Sequence, residues 1–342
     1  KCVTNGQIWI ATHSVPLLAH FDPSQIWYVE KNTIRHAGKI PEKVLGSLLG
    51  DENEVAKLQD FISLPAQYAS CRYAFESLFE PIPVTTNSND PQTYQIRADL
   101  LNHAANGKLR VLDYGAGKGR LISNIVDLDE QSQEKLVEKI YYIAYDKFLD
   151  DKEQCQKALV KAYGNSDNKY FNHFNDLLSF YDKGSFDVVI MCNVLHEIDP
   201  KDWLKLFQND GIISGLLSEN GILLLVEDHQ IPIGEKAYQK GFLVLDTPQL
   251  KDLFKISEKD NFKFTDARDD GRLKAHQISK QCLIRIDENS RIAAINAMAK
   301  TAREKVLEIR EKESNYENGK LHGFWIQQFA HAELNLSEFK VQ

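Results

Sequence analysis

From Leu109 to Glu227 the chain alternates short apolar runs with longer stretches of helical spacing, and this alternation limits the fold more than any other feature. The runs at 109–114, 141–146, 169–174, 186–193 and 221–227 have strand length, and the segments between them can hold helices. Strands alternating with helices of this length pair through crossovers, which puts helices on both faces of a mainly parallel sheet. Two later runs, 262–268 and 275–286, flank the turn formers Asp269-Asp270-Gly271-Arg272 and read as an antiparallel hairpin. The expectation is an α/β fold: a Rossmann-like, seven-stranded, mostly parallel sheet with an antiparallel C-terminal hairpin.

The flanks are less regular. Residues 7–12 and 26–30 read as strands, 41–64 and 66–80 as helices, and the polar stretch 84–93, which contains Pro91, as a linker. Tyr94–Ala105 reads as a helix. Ser290 is a candidate N-cap for a long helix to about Glu313, whose apolar stripe is Ile292, Ile295, Ala299, Ala302, Val306 and Ile309. A final helix at 322–334 carries Phe324, Trp325 and Phe329 as packing residues. A net charge of -8 argues against broad phosphate-backbone binding, which needs a basic stripe. Cys2, Cys71, Cys155, Cys192 and Cys282 form no CxxC pair and read as reduced thiols of a cytoplasmic protein. No apolar run approaches membrane-spanning length. The opening KCVTNGQIWIATHS lacks an initiator Met and a leader pattern, and reads as the start of a fragment or processed piece.

The first strand of the alternating region runs directly into LDYGAGKGR, Leu112–Arg120. A phosphate-binding P-loop needs GxxxxGK followed by Ser or Thr, but Lys118 stands three residues after Gly115 and precedes Gly119. A dinucleotide loop needs GxGxxG, and this one is a residue short. An acidic residue at the strand end followed by GxGxG, here Asp113, Gly115, Gly117 and Gly119, resembles motif I of class I S-adenosylmethionine-dependent methyltransferases. The second strand YYIAYD ends in Asp146, the third region KYFNHFND in Asn175 and Asp176, the fourth continues into NVLHEID, and the fifth is LLLVED. The ordered blocks are similar to that family over about residues 94–286.

The resemblance implies S-adenosyl-L-methionine as cofactor. It implies that Asp113 and the three glycines form the cofactor turn, that Asp146 binds the ribose hydroxyls, and that Asn175 and Asp176 lie near the adenine. Asn193 falls between the cofactor and acceptor sides. Ligands of open α/β sheets sit outside the carboxyl ends of the strands, so Asn193, His196, Glu197, Asp228 and His229 line the acceptor side. His196 and His229 are the candidate general bases, because an imidazole titrates near neutrality; the plainer reading of His196 is that it orients the helix after it. Glu197, Asp228 and His229 have metal-ligand chemistry but no metal-site spacing. NVLH stands where amino-methylating DNA enzymes carry (D/N)PP(Y/F), and Cys192 is followed by Asn193 rather than Pro, so those two base-methylating routes are disfavoured. The acceptor stays open among a small molecule, a protein or an RNA. A non-catalytic sensor or scaffold that binds the cofactor or its product is the alternative reading.

Upstream, QIWIATHSVPLLAHFDPSQIWYVEKNTI and AGKIPEKVLGSLLG resemble the switch-histidine region and tail of ABC-class ATPases of the SMC-like and OLD-like kind over about residues 7–62. The resemblance implies that His13 faces a γ-phosphate and that the chain is the C-terminal part of an ATPase–methyltransferase fusion. No Walker A motif, LSGG-like helix or Walker B strand accompanies it, so these residues alone would not hydrolyse ATP. The expected organisation is an ATPase-like remnant at 1–65, a helix and linker at 66–93, the methyltransferase domain at 94–286, and a helical extension at 287–342.

Overall fold

The computed structural model describes residues 9–12, 25–37, 89–229, 240–313 and 315–340. His13, the expected helices at 41–64 and 66–80, and residues 84–88 of the expected linker lie outside the described residues. Two units are distinguished, 1–71 and 72–342. In the first, β1 (Trp27–Glu30) and β2 (Thr33–His36) form a hairpin. Lys31 and Asn32 both take positive φ, 42° and 67°, as a two-residue turn of this kind requires. The strand expected at 7–12 is not found over its described part: residues 9–12 join no ladder, and Trp9 and Ile10 are exposed.

The second unit holds the sheet. Helix α1 (Pro91–His103) begins inside the expected linker, because Asp90 caps it by accepting from Thr93 N at 3.0 Å and Pro91 occupies the first turn, where no amide is needed. Then follow β3 (Leu109–Tyr114), α2 (Arg120–Glu130), α3 (Leu136–Lys139), β4 (Ile140–Tyr145), α4 (Lys152–Tyr163), β5 (Tyr170–Phe171) and α5 (Phe174–Phe180). Next come β6 (Phe186–Cys192), α6 (Trp203–Phe207), α7 (Ile212–Leu216), β7 (Leu217–Asp228), α8 (Thr247–Leu253), β8 (Lys263–Asp266) and β9 (Leu273–Ser279). The chain ends in α9 (Lys280–Leu283), α10 (Glu288–Arg310) and α11 (Tyr316–Ser337).

The seven strands lie in the order β5-β4-β3-β6-β7-β9-β8, parallel except for β9. The expected α/β class, sheet size and C-terminal hairpin are therefore present. The strand order reverses direction at β3, so the topological switch point lies between β3 and β6, where such sheets form their ligand crevice. The sheet is covered on both faces, which is why its strands read as unbroken apolar runs. On β6, Val188 and Ile190 pack with Val111, Tyr142 and Ala144 beneath α1, α2 and α4, while Val189 and Met191 face Leu112, Ile143 and Leu225 on the other side.

Further element boundaries differ from expectation, as β7 and α11 do by starting four and six residues early. The third strand shortens to two residues and α5 begins at Phe174, which places Asn175 and Asp176 in a helical turn. The run 275–286 breaks after Ser279, the last residue paired to β7, and Lys280 turns into α9 with its ammonium on Leu217 O and Glu219. Asp287, not Ser290, caps α10; the two form a capping box, with Ser290 N donating to Asp287 Oδ1 and Asp287 N to Ser290 Oγ, each at 2.9 Å. The stripe on α10 is buried as expected except at Ile292, which is partly buried, and Ala294, Ile295 and Met298 enter the core under the sheet. Phe324 of α11 is buried, while Trp325 and Phe329 are partly so.

An extended strap, residues 241–246, crosses between the sheet and α11 with Phe242, Leu243, Val244 and Leu245 all buried. A buried strap outside any sheet needs other partners for its backbone groups. Helix α11 supplies them: Phe242 N donates to His331 Nδ1 at 3.2 Å, Val244 N to Gln328 Oε1 at 2.9 Å, and Gln328 Nε2 to Phe242 O at 3.2 Å. Gly241 has φ 77°, and a Cβ there would fall 2.1 Å from the His331 ring. Gly241→Ala is therefore expected to destabilise the chain by about 2 kcal/mol, read as a lower denaturant midpoint at unchanged slope.

Candidate active site

At the tip of β3 the backbone folds into a turn that only glycine accommodates easily. Gly115, Gly117 and Gly119 have φ of 91°, 49° and 70°. A Cβ on Gly115 would lie 2.6 Å from Val194 Cγ2, so the turns after β3 and β6 touch across the switch point. A Cβ on Gly119 would meet Cys155 Cα at 3.0 Å and Ala158 Cβ at 3.2 Å, which explains the close approach of α4. A Cβ on Gly117 would meet nothing within 4 Å, so the middle of the turn faces open space. Lys118 is half-buried, 3.9 Å from Asp151.

Asp146, the residue after β4, braces this turn. Its Oδ2 accepts from Gly117 N at 2.7 Å and its Oδ1 from Phe148 N at 2.8 Å. Phe148 itself is 58% exposed beside it. Asp113 points into the sheet, 2% exposed, and accepts from the Tyr142 hydroxyl. Burial pushes its carboxyl up to about 7. Tyr114 stacks on Tyr145 at 5.0 Å, and Tyr145 meets the edge of Phe174 at 6.1 Å, giving the crevice an aromatic side. Asn175 and Asp176 are exposed on the first turn of α5, just after Phe174.

The other side of the switch point is built by the ends of β6 and β7. Asn193 takes φ 55°, and its side chain ties three elements together. Oδ1 accepts from Asp228 N at 2.8 Å and from Gln92 Nε2 at 3.3 Å, while Nδ2 donates to Gln92 Oε1 at 3.0 Å. His196 is 3% exposed, and its Nδ1 pairs with Glu227 Oε2 at 2.7 Å. The other oxygen of Glu227 accepts from Leu195 N at 3.0 Å and His196 N at 3.4 Å. A carboxylate held by two backbone amides fixes both the tautomer and the orientation of the imidazole. Phe242 of the strap stands edge-on to His196, ring centres 6.2 Å apart.

Of the remaining candidates, Asp228 is committed elsewhere. Both Asp228 oxygens accept from Arg272, at 2.9 and 2.8 Å, in a bidentate pair. His229 is buried, which lowers its pKa; its Nε2 has no hydrogen-bond partner and stands 3.9 Å from Asp246 Oδ1. Asp246 is in turn held by Lys274 at 2.8 and 2.7 Å. Glu197 is partly buried beside His196 in sequence. Among the described residues no group of three or more His, Cys, Asp or Glu side chains could hold a metal ion. Glu227 was not among the expected site residues. It precedes Asp228 at the strand end, and alternation along β7 puts it on the opposite face, with Leu225 and His196.

No family model matches the sequence, and no curated protein matches it. Solved structures with a similar arrangement include the 1,6-didemethyltoxoflavin-N1-methyltransferase of Burkholderia thailandensis, solved with 1,6-didemethyltoxoflavin and S-adenosylhomocysteine bound. It is 14% identical, covering 65% of this chain and 88% of that one, with a TM-score of 0.36. The DszA carbon methyltransferase is 15% identical over 75% of each chain, with a TM-score of 0.43. A SAM-dependent methyltransferase from Archaeoglobus fulgidus is 11% identical, covering 55% of this chain and 94% of that one, with a TM-score of 0.34. At this level of similarity no residue role carries over from those proteins. Among the described residues no helix is long and apolar enough to cross a membrane.

Proposed function

We propose that the chain is an S-adenosylmethionine-dependent methyltransferase whose cofactor lies on the Gly115–Gly119 turn. The observation that carries this reading is the Asp146 carboxylate at the tip of β4, fixed against Gly117 N on the turn itself. A carboxylate there suits a ribose diol, the exposed Phe148 beside it offers a flat apolar surface for a purine, and the space over Gly117 admits a ligand close to the backbone. The cofactor, when bound, supplies an electrophilic sulfonium methyl group. Asp113 supports the turn from inside the sheet, and Asn193 sets the spacing of β6, β7 and α1 around the crevice.

On the acceptor side, His196 takes the proton of a hydroxyl, amine or acidic carbon at Nε2, with Glu227 stabilising the imidazolium that forms. Asp228, paired with Arg272, and His229, lowered by burial, shape the wall beyond it. The burial of His196 under Phe242 favours a small acceptor over a macromolecule. The ATPase fusion rests on the sequence resemblance at residues 7–62 alone.

Isothermal titration of the intact chain with S-adenosylhomocysteine tests the cofactor assignment. Saturable one-to-one binding is expected, and absence of binding would overturn it. Turnover to S-adenosylhomocysteine across a panel of small hydroxyl, amine and carbon acids separates the enzyme from a cofactor-binding sensor.

A further inference from the structure

Away from the crevice, a groove runs between α1 and the edge strand β8. It consists of two recesses of about 480 and 550 Å³ that share Asp99 and Thr265. Gln95 and Asp99 stand one helical turn apart on the face of α1 turned to this groove, while Ile96 and Leu100 fill the core. Both polar side chains are more than nine-tenths buried, at 8% and 6% exposure, and each keeps an oxygen with no partner: Gln95 Oε1 and Asp99 Oδ2. Gln95 spends its amide nitrogen on Thr265 Oγ1 at 2.7 Å, and Gln277 serves the Asp99 carboxyl from the sheet side. Leaving buried acceptors unmet is costly, and for a carboxylate more so, unless a donor arrives from elsewhere.

The charge around the smaller recess says what kind of donor. Asp99 and Asp266 line it with no basic side chain among its described residues, and the half-exposed Tyr94 ring forms a wall. Asp266 is oriented by Arg268 N at 3.1 Å and Gly271 N at 2.6 Å. Lys251 and Lys263 line the other recess and close that end to a long polycation. Acceptors at the floor, a carboxylate at the rim and an aromatic wall together suit an ammonium group that carries N–H donors.

We propose that this groove binds a small organic amine, its ammonium donating to Asp99 and resting against the Tyr94 ring. The assignment is independent of the methyl-transfer reading, because none of its residues belongs to the crevice. Titration calorimetry with putrescine at about 150 mM salt, where diffuse attraction to an acidic protein is screened, provides the test. Saturable binding is expected, weakened about tenfold or more in Asp99→Asn and several-fold in Tyr94→Ala. Glu219→Gln removes one exposed charge on another face and should leave the affinity unchanged. Tetramethylammonium, which has neither N–H nor O–H to donate, should bind at least about tenfold more weakly than putrescine. Asp99→Asn should melt at or above the temperature of the parent, which shows that any loss is not unfolding. No binding of putrescine would assign the groove to ordered water; equal affinity in Asp99→Asn, or tetramethylammonium binding as well as putrescine, would equally overturn the proposal.

Discussion

Titrating S-adenosylhomocysteine into Asp146→Ala is expected to return an affinity about a hundredfold weaker than that of the parent chain. Two hydrogen bonds from a ribose diol to one carboxylate contribute about 1.5–3 kcal/mol each, and a hundredfold change corresponds to about 2.7 kcal/mol. Part of the loss comes from the protein itself, since Gly117 N and Phe148 N would lose their shared acceptor and the turn its brace. Asp146→Asn tests the same requirement for a carboxylate with the side-chain volume kept. Its single oxygen can serve only one of those amides, and its NH₂ would confront the other donor, so the amide variant should bind little better than alanine. Unchanged affinity in either variant would contradict the placement of the cofactor.

The second large effect concerns stability and pH. Burial raises the Asp113 carboxyl from 3.8 to about 7 in the folded chain. The folded state therefore holds this proton more tightly than the unfolded state. The stability it contributes is complete below about pH 4 and is lost as pH rises through about 7, by at most about 4 kcal/mol. Two imidazoles act with the opposite sign over part of that range. Burial lowers both His229 and His276, the latter to about 3, so their contribution falls as the solution is acidified through about 6.5. The parent profile mixes these slopes, and comparison with Asp113→Asn isolates one of them. Denaturant midpoints at pH 5 and pH 8.5 should show the variant gaining on the parent at the higher pH; parallel profiles would mean that Asp113 is ionised in the fold.

Legibility in the sequence followed the range of the interactions. Strand β3 ends where expected because Gly115 enforces the turn, and β4 lies within one residue because Asp146 stops it. The hairpin around Gly271 and the apolar stripe of α10 are likewise local patterns. The cap of α10 is ambiguous in the sequence because Asp287 and Ser290 are both capping residues, and only their reciprocal bonds say which begins the helix. Glu227 is not legible in the sequence because its role depends on which face of β7 it occupies, a matter of register with β6 and β9. The strap is opaque for a stronger reason: the partners of its backbone at Val244 and Phe242, Gln328 and His331, lie 84 and 89 residues further on.

That separation has a consequence for how the molecule assembles. The parallel sheet can form from neighbouring crossover units, but the backbone bonds of Phe242 and Val244 in the strap close only when α11 arrives from much further along the chain. Contacts closed over such distances form late, after the loop entropy between them has been overcome. Of the crevice, the roof over His196 is therefore one of the two longest-range pieces, beside the Asn193–Gln92 tie whose partners lie 101 residues apart, whereas the glycine turn and Asp146 are joined within a much shorter stretch of chain.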